Sequence, residues 1–435
     1  MQLKNKYDIV VAGAGIAGIA AAVKASSMGA SVLLIEHYPF LGGMSSAGMV
    51  SPFMKSHTGG IVLVKGVFFE LEAGMLEMGG MIDNGFYAWA FRATANSLLK
   101  EAGADIAFSS DVVEVSVKEK TIESITIAGR TGLQKVFASQ FIDTTGDAQL
   151  IALGGFPWLK GDERTGKLQA MTLFFRMGGI DVERTAEYSK AYSEDFLPWM
   201  DFNFNFEKII SIAGFKGLIK KAQAEGRLPE EIEYVFFTTM ASTGEGSFNT
   251  TNILGVDASS SENLTKAEQI GHRQVAMVVD FLQQEVPGFE NAFLIDTAPQ
   301  VGVRETRRAQ ADYMVTGQDI LKGARFNDAV ARGCYGIDIH GQPGEKSRMD
   351  ELQEGQWYEI PLRSLLVTGA ENLMVAGRCI GATREGHAAL RIMPTSAATG
   401  EACGATAALA VKSGIKIRET DYVQIRQALI HNIEN

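Results

Sequence analysis

A chain of 435 residues is long for one globular domain and suits two interleaved ones. Its hydrophobic fraction of 46% is ample for sizeable cores, and a net charge of −11 argues against a nucleic-acid binder, which needs a basic face to meet phosphates. Met1 to Lys6 is polar and leads straight into a strand, so no signal peptide is expected. The longest uncharged run, Ile9 to Val23, is too short and too broken by glycine to cross a bilayer, and the chain is expected in the cytoplasm.

The first predicted element is an apolar strand, Ile9 to Val11. Gly13, Gly15 and Gly18 follow at once, then an Ala-rich helix from Ile16 to about Ser27, a second strand from Val32 to Ile35, and Glu36. Each residue has a physical task in a nucleotide-binding βαβ unit. Gly13 allows the tight strand-to-helix turn. Gly15 lacks a Cβ, so a pyrophosphate can approach the backbone. Gly18, with Ala22 one turn later, lets the helix lie close to the sheet. The phosphates meet the positive end of the helix dipole and the unpaired N–H groups of its first turn, at Ile16 and Ala17. Glu36 ends the second strand, where its carboxylate can accept bonds from both ribose hydroxyls and would repel a 2′-phosphate. To this point the ligand is either NAD or FAD.

After a short loop comes Leu41-Gly42-Gly43-Met44-Ser45-Ser46. Residues 60 to 101 read as helical and apolar, rich in methionine and aromatics. Asp105 to Phe141 alternates like a β-meander, with turns near Lys118-Glu119-Lys120 and Arg130-Thr131-Gly132. It closes on Ile142-Asp143-Thr144-Thr145-Gly146-Asp147-Ala148. Phe196 to Phe206 carries a run of aromatics, read as core packing or the lining of an apolar pocket. Glu207 to Gln223 is amphipathic and lysine-rich, and is read as a surface helix in preference to one lying on a membrane. Gly244-x-Gly246 is followed by no helix pattern, so a second nucleotide domain is not expected. Thr265-Lys266-Ala267-Glu268 is a capping box opening a helix that stops before Pro287-Gly288. Cys334, Cys379 and Cys403 form no C-x-x-C pair and no metal-ligand spacing, so neither thiol–disulfide chemistry nor a metal site is expected. Asn372 to Arg378 reads as a buried strand closing on a loop. Met393-Pro394-Thr395-Ser396-Ala397 then opens an Ala/Gly helix in which Gly400, Gly404 and Ala408 recur every four residues, leaving one face bare for close packing. Thr420 to Asn432 looks like a terminal helix.

The glycine unit, the Gly42-Gly43 return, the 142–148 segment and the Val375-Ala376-Gly377-Arg378 strand with its following helix resemble bacterial FAD-dependent oxidoreductases. These belong to the glutathione-reductase-like superfamily, in its succinate-dehydrogenase-like and FixC-like branch. Val303 to Arg308, Ile337 to His340 and Ile360 to Leu365 match recurring blocks of that family, so the likeness spans nearly the whole chain. It implies an α/β fold, with a Rossmann-like FAD-binding domain of the GR2 type interleaved with a mixed α+β substrate domain. The implied division is 1–55 and 102–158 for FAD, 56–101 helical on the substrate side, 159–362 as substrate or cap domain, and 363–435 for FAD again. The resemblance assigns cofactor contacts to Gly42, Gly43, Met44, Ser45, Val113, Thr145, Gly146, Asp147, Gly377, Arg378, Pro394, Thr395, Ser396 and Ala397. Thr395 to Ala397 can aim helix N–H groups at the negative charge that builds on a reduced flavin. Pro394 suits a first turn, which needs no donor from it. His57 is similar to the histidine that carries covalent flavin in succinate dehydrogenases, but it stands too far from Glu36, and non-covalent FAD is expected.

The chemistry has several candidates. Arg384, His387 and Arg391 fall in the loop that, by resemblance, passes the isoalloxazine ring; there they can hold an anionic substrate, stabilise the reduced flavin or relay a proton. Arg384 stands where many relatives have His, so a base role in this chain has moved to His387 or the chemistry differs. His387 reads equally as a structural histidine, and Arg391 equally as a brace for the loop. Arg304 is either catalytic or, with Glu305, Arg307 and Arg308, part of a buried ion-pair network. Asp338 and His340 share one strand face and read as a cavity lining in preference to a core pair. The expected activity is hydride transfer between a small polar or anionic organic substrate and flavin N5, as a dehydrogenase. The alternatives are a flavin-dependent reductase of an activated double bond and a non-catalytic FAD-binding electron-transfer protein. The expected partners are that substrate and a separate electron acceptor or donor.

Overall fold

The computed structural model describes residues 3–240, 244–341, 345 and 347–434. Its central sheet grows from the first predicted strands. Lys6–Ala12 pairs in parallel with Val32–Ile35 on one side and Gly132–Asp143 on the other, and Val32–Ile35 pairs with Asp105–Ala107. Ile9, Val10 and Val11 are fully buried, which suits a parallel sheet covered on both faces. Gly132–Asp143 has two roles. Its first half runs antiparallel to Thr121–Gly129, which pairs with Asp111–Lys118; its end, Phe141 to Asp143, runs parallel to Leu373–Val375. Strand ends near residues 12, 143 and 375 therefore lie side by side, although the chain separates them widely. This is the carboxyl edge, where ligands bind in open α/β sheets.

Two helices cover that edge from the same face. Ile16–Ser27 packs along Met393–Ser413, and the bare glycine face of the latter makes the contact. A Cβ on Gly400 would meet Ala17 O at 2.0 Å, and one on Gly404 would meet Ala21 O at 2.3 Å. The apolar region 60–101 resolves into two helices, Val67–Glu77 and Ala88–Ala102, joined through the short hairpin strands Met81–Ile82 and Gly85–Phe86. These helices share one core with the two glycine-contact helices and with Val315, Val330, Tyr358 and Ile360.

A second core lies under a five-stranded antiparallel sheet, in the order Ser211–Gly214, Val235–Thr239, Gly246–Phe248, Phe175–Gly178, Phe293–Thr297. The helix Ser261–Glu285 backs it with Val275, Val278, Phe281 and Leu282. Three local expectations change here. The long helix is capped by Ser260, whose side chain accepts from Asn263 N, so Thr265 lies one turn inside it. The stretch 207–223 is not one helix, because β-branched Ile212 and its neighbours pair with Val235–Thr239 and the helix begins only at Lys216. The terminal helix is split into Tyr422–Ala428 and Ile430–Ile433. Among the described residues, no helix is long and apolar enough to cross a membrane.

Candidate functional site

A cleft of about 230 Å3 runs along the carboxyl edge of the parallel sheet. Its floor is two glycine turns pressed together: Gly42 N donates to Ala14 O at 2.9 Å, and a Cβ on Gly43 would stand 3.0 Å from Gly15 Cα. Gly13, at φ +94°, lies against the return strand, where a Cβ would meet Thr144 O at 2.7 Å. Gly18 is the closest contact of all, since its Cβ would fall 1.9 Å from Gly13 O. Gly15 is the opposite case. A Cβ there would meet no protein atom within 4 Å and would project into open space. The helix that starts at Ile16 has no side-chain cap, and neither has Met393–Ser413, whose first turn carries Pro394. Two sets of uncapped N–H groups thus face one cleft, as a pyrophosphate and an electron-rich ring require.

Glu36 closes the far end. It is 3% exposed, Oε2 accepts from Ala14 N at 2.8 Å, Oε1 accepts from Tyr38 N at 3.0 Å, and His37 Nδ1 lies 3.2 Å away. Burial pushes its carboxyl up, against the pull of those donors. At the other end Arg378 binds Asp147 Oδ1 at 2.9 Å and Thr306 Oγ1 at 3.3 Å, clamping the 143–147 turn. Asp143, wholly buried, holds that turn from below by accepting from Thr145 Oγ1, Leu150 N and Ile151 N. An open space at Gly15, uncapped helix starts and a carboxylate at the second strand end together fit FAD.

The cleft is lined by Gly13, Gly15, Ile16, Ala17 and Glu36, by Gly42 to Ser45, by Thr145 to Asp147, and by Gly377, Arg378 and Ser396. Gly18, Pro394, Thr395 and Ala397 sit behind this surface as packing. Val113 faces away and is 45% exposed; its neighbour Val112 lines the cleft. Val113 is the unpaired residue at the register shift between Val112 and Glu114. Sequence reasoning also missed Tyr38, Ser110, Gln149, Gln300 and Met393 in the lining. Two signals pointed to them: Tyr38 stands two residues after Glu36, and Met393 directly precedes Pro394.

Arg391 lines the cleft as well, and behind it lies a polar cavity of about 480 Å3. Arg391 Nη2 is 3.3 Å from Asp338 Oδ2, which also accepts from Tyr335 OH at 3.0 Å; Asp338 Oδ1 is 3.3 Å from His340 Nε2. His340 and Arg304 line the cavity together with Thr172, Tyr234 and Asn249, and Glu231, Glu233 and Glu345 also border it. Burial would raise the Asp338 carboxyl, but His340, Arg391 and Arg304 outweigh it and hold it well below the usual range. Burial and Arg304 push His340 below its ordinary 6.5, and burial and Arg391 lower Arg304 to about 10. Among the described residues, Arg304 donates to neutral acceptors, Ala170 O at 2.7 Å and Asn249 Oδ1 at 3.3 Å.

The loop cations are therefore not gathered at one spot. Arg384 faces away from the cleft, bound to Glu345 and lying 3.6 Å from Glu305 and 3.7 Å from Asp162. Its charge is consumed by acids that arrive from distant parts of the chain. His387 is 1% exposed, its Nδ1 has no hydrogen-bond partner, and burial with Arg308, Arg391 and Arg378 pushes it well below 6.5. Arg308 sits in the ion-pair network, 3.1 Å from Glu305 and 2.5 Å from Glu163. His57 is exposed in a hairpin and does not line the cleft. The three cysteines are buried, and burial pushes the Cys334 thiol up to about 11.

A family model described as FAD dependent oxidoreductase matches residues 8–429. Over 48 residues, 10% of this chain, the sequence is 54% identical to an NADH:fumarate oxidoreductase of Klebsiella pneumoniae (strain 342), and the match spans 5% of that protein's length. The flavin-dependent brominase Bmp2 superposes with a TM-score of 0.51 at 12% identity, covering 97% of this chain and 83% of that one. A geranylgeranyl bacteriochlorophyll reductase-like protein from Thermoplasma acidophilum gives 0.47 at 14% identity, over 98% and 82%. The likeness to the brominase concerns the fold alone.

Proposed function

This chain belongs to the FAD dependent oxidoreductase family, and on that premise we propose that it dehydrogenates a small anionic or strongly polar substrate held in the cavity behind Arg391. One observation carries the reading: a continuous line of polar contacts from cleft to cavity. Arg391 lines the cleft and touches Asp338, Asp338 touches His340, and His340 shares the cavity with Arg304. Bound FAD supplies a hydride acceptor at flavin N5.

The chain's own residues bind and deprotonate. Among the described residues no carboxylate hydrogen-bonds Arg304, which feels Asp338 only at longer range, so its guanidinium is available to a substrate carboxylate. Asp338 stays ionised and accepts from His340 Nε2–H, which leaves Nδ1 bare. With its pKa held below 6.5, His340 is neutral at pH 7 and can take the proton of a substrate hydroxyl or amine as the adjacent C–H hydride departs. That protonation state favours dehydrogenation over the delivery of a proton to a double bond.

The test is reduction of the flavin by substrate. Small hydroxy and amino acids are screened at the flavin absorption band without oxygen, and the best is followed by stopped flow. Arg304→Ala and His340→Gln should keep bound FAD and slow flavin reduction about 10²–10⁴-fold. Reduction of both variants at the wild-type rate would remove the cavity from the chemistry.

A further inference from the structure

Ser45 lines the flavin cleft and also a second, smaller cavity of about 200 Å3. Neither FAD binding nor the Arg304–His340 cavity makes use of it. Phe86, Tyr87 and Trp89 form an aromatic wall, and Arg92 and Arg176 bring cations. The two arginines differ. Arg176 is held bidentately by Asp296 at 3.0 and 2.8 Å, with Glu245 at 3.9 Å, so its charge is cancelled. Arg92 donates Nε to Ala88 O at 3.2 Å and lies 5.1 Å from the Phe40 ring centre. Among the described residues, no carboxylate lies within 4.0 Å of it. The aromatics also differ: Tyr87 is 8% exposed, inside the cavity, whereas Trp89 is 49% exposed at its rim. Ser46, at 2% exposed, lines the same space, and its hydroxyl has no hydrogen-bond partner.

We propose that this cavity seats the nicotinamide ring of a pyridine dinucleotide, the carrier that exchanges electrons with the flavin in the second half of the cycle. A space of this size accepts one flat ring against Trp89 at the rim, beside the Tyr87 ring that Arg176 already faces at 5.4 Å. The oxidised ring is a cation, which an indole face attracts. The carrier's pyrophosphate is an anion, and Arg92 is the uncancelled cation beside the opening. A quinone would fill the aromatic slot but leave Arg92 without a use. A carrier that docks at the flavin needs no Rossmann unit of its own, which accords with the absence of helix pattern after Gly244-x-Gly246. The exchange balances as FADH2 + NAD+ → FAD + NADH + H+: a hydride goes to the pyridinium C4 and the second proton to solvent. The direction alone rests on the dehydrogenase reading; the site does not.

The experiment is calorimetric titration of FAD-loaded protein with NAD+ and with NADP+, in the absence of substrate so that no turnover occurs. The expected result is saturable binding of at least one of them, weakened roughly ten- to hundredfold by Arg92→Glu through loss of a charge-assisted bond. Trp89→Ala, at a half-exposed position that the fold tolerates, should weaken binding as well. Both variants should retain the flavin absorption band, which separates failure of this site from failure of FAD binding. Yellow protein that binds neither nucleotide at millimolar concentration would overturn the proposal. So would an Arg92→Glu protein that binds as wild type does, or reoxidation of the flavin by a quinone alone.

Discussion

Glu36 holds the protein itself and faces the cleft. Its two oxygens fix the backbone at Ala14 and Tyr38 and retain lone pairs toward the cleft that a ribose can occupy. Glu36→Ala should weaken FAD roughly ten- to hundredfold, the worth of a charge-assisted pair of about 1.5–3 kcal/mol. Titration of apo protein giving an unchanged affinity would take Glu36 out of the site. The histidines set a pH limit. Both His340 and His387 have folded pKa values below the ordinary 6.5, so the unfolded chain binds more protons than the folded one beneath that value. Stability is therefore fully present above about pH 6.5 and is lost as pH falls toward the folded values. Urea midpoints measured from pH 8 to 5 should drop on the acid side, and His387→Asn should flatten that drop. A wild-type midpoint constant over this range would contradict the neutral buried state of His387. At this scale the sequence was legible where the neighbours are local. Gly13, Gly15 and Glu36 stand where the motif puts them. Arg384 was not legible, because its acids Asp162, Glu305 and Glu345 come from elsewhere in the chain.

Between elements, the contact of Ile16–Ser27 with Met393–Ser413 sets the width of the cleft, since both helices start there. The four-residue spacing of Gly400, Gly404 and Ala408 announced a close-packed face, and periodicity within one helix needs no knowledge of the partner. Gly404→Ala would normally gain up to about 1 kcal/mol in helix propensity. Here the added methyl falls 2.3 Å from Ala21 O, a backbone atom that cannot rotate away. Overpacking costs typically about 1–3 kcal/mol, so the net effect should be destabilising. The midpoint of denaturant unfolding should fall, and FAD should be held less tightly; a raised midpoint would mean that the helices separate without loss. The misread elements have the opposite character. Residues 207 to 215 are amphipathic enough for a helix, yet a strand partner 25 residues downstream decides the matter. The long helix starts ahead of the Thr265 box, at Ser260, where the chain is still extended, at φ −125° and ψ 147°.

For the whole molecule, the cleft that fits the cofactor lies mainly where three separate stretches of chain converge, residues 12 to 45, 110 to 149 and 377 to 396, with Leu264 and Gln300 added from elsewhere. The interleaving was legible from the ordered series of family-like blocks. The cavity behind Arg391 was only partly so, since Asp338 and His340 alternate visibly on one strand while Arg304 and Tyr234 reach it from other elements. A ligand that touches all three stretches can bind only the folded arrangement, so FAD should stabilise the entire chain and not one lobe. At a free concentration of 100 Kd the gain is about 2.7 kcal/mol. Purified protein should be yellow, and denaturation should release FAD and leave no colour on the polypeptide, because His57 lies exposed in its hairpin outside the cleft lining. Apo protein should melt in one transition that FAD moves to higher temperature. FMN should move it little, because the AMP half engages Gly15 and Glu36 and FMN lacks it. An equal shift with FMN would mean that the glycine end of the cleft does not bind the cofactor, whereas a shift confined to one of two transitions would mean that the three stretches do not close around it together.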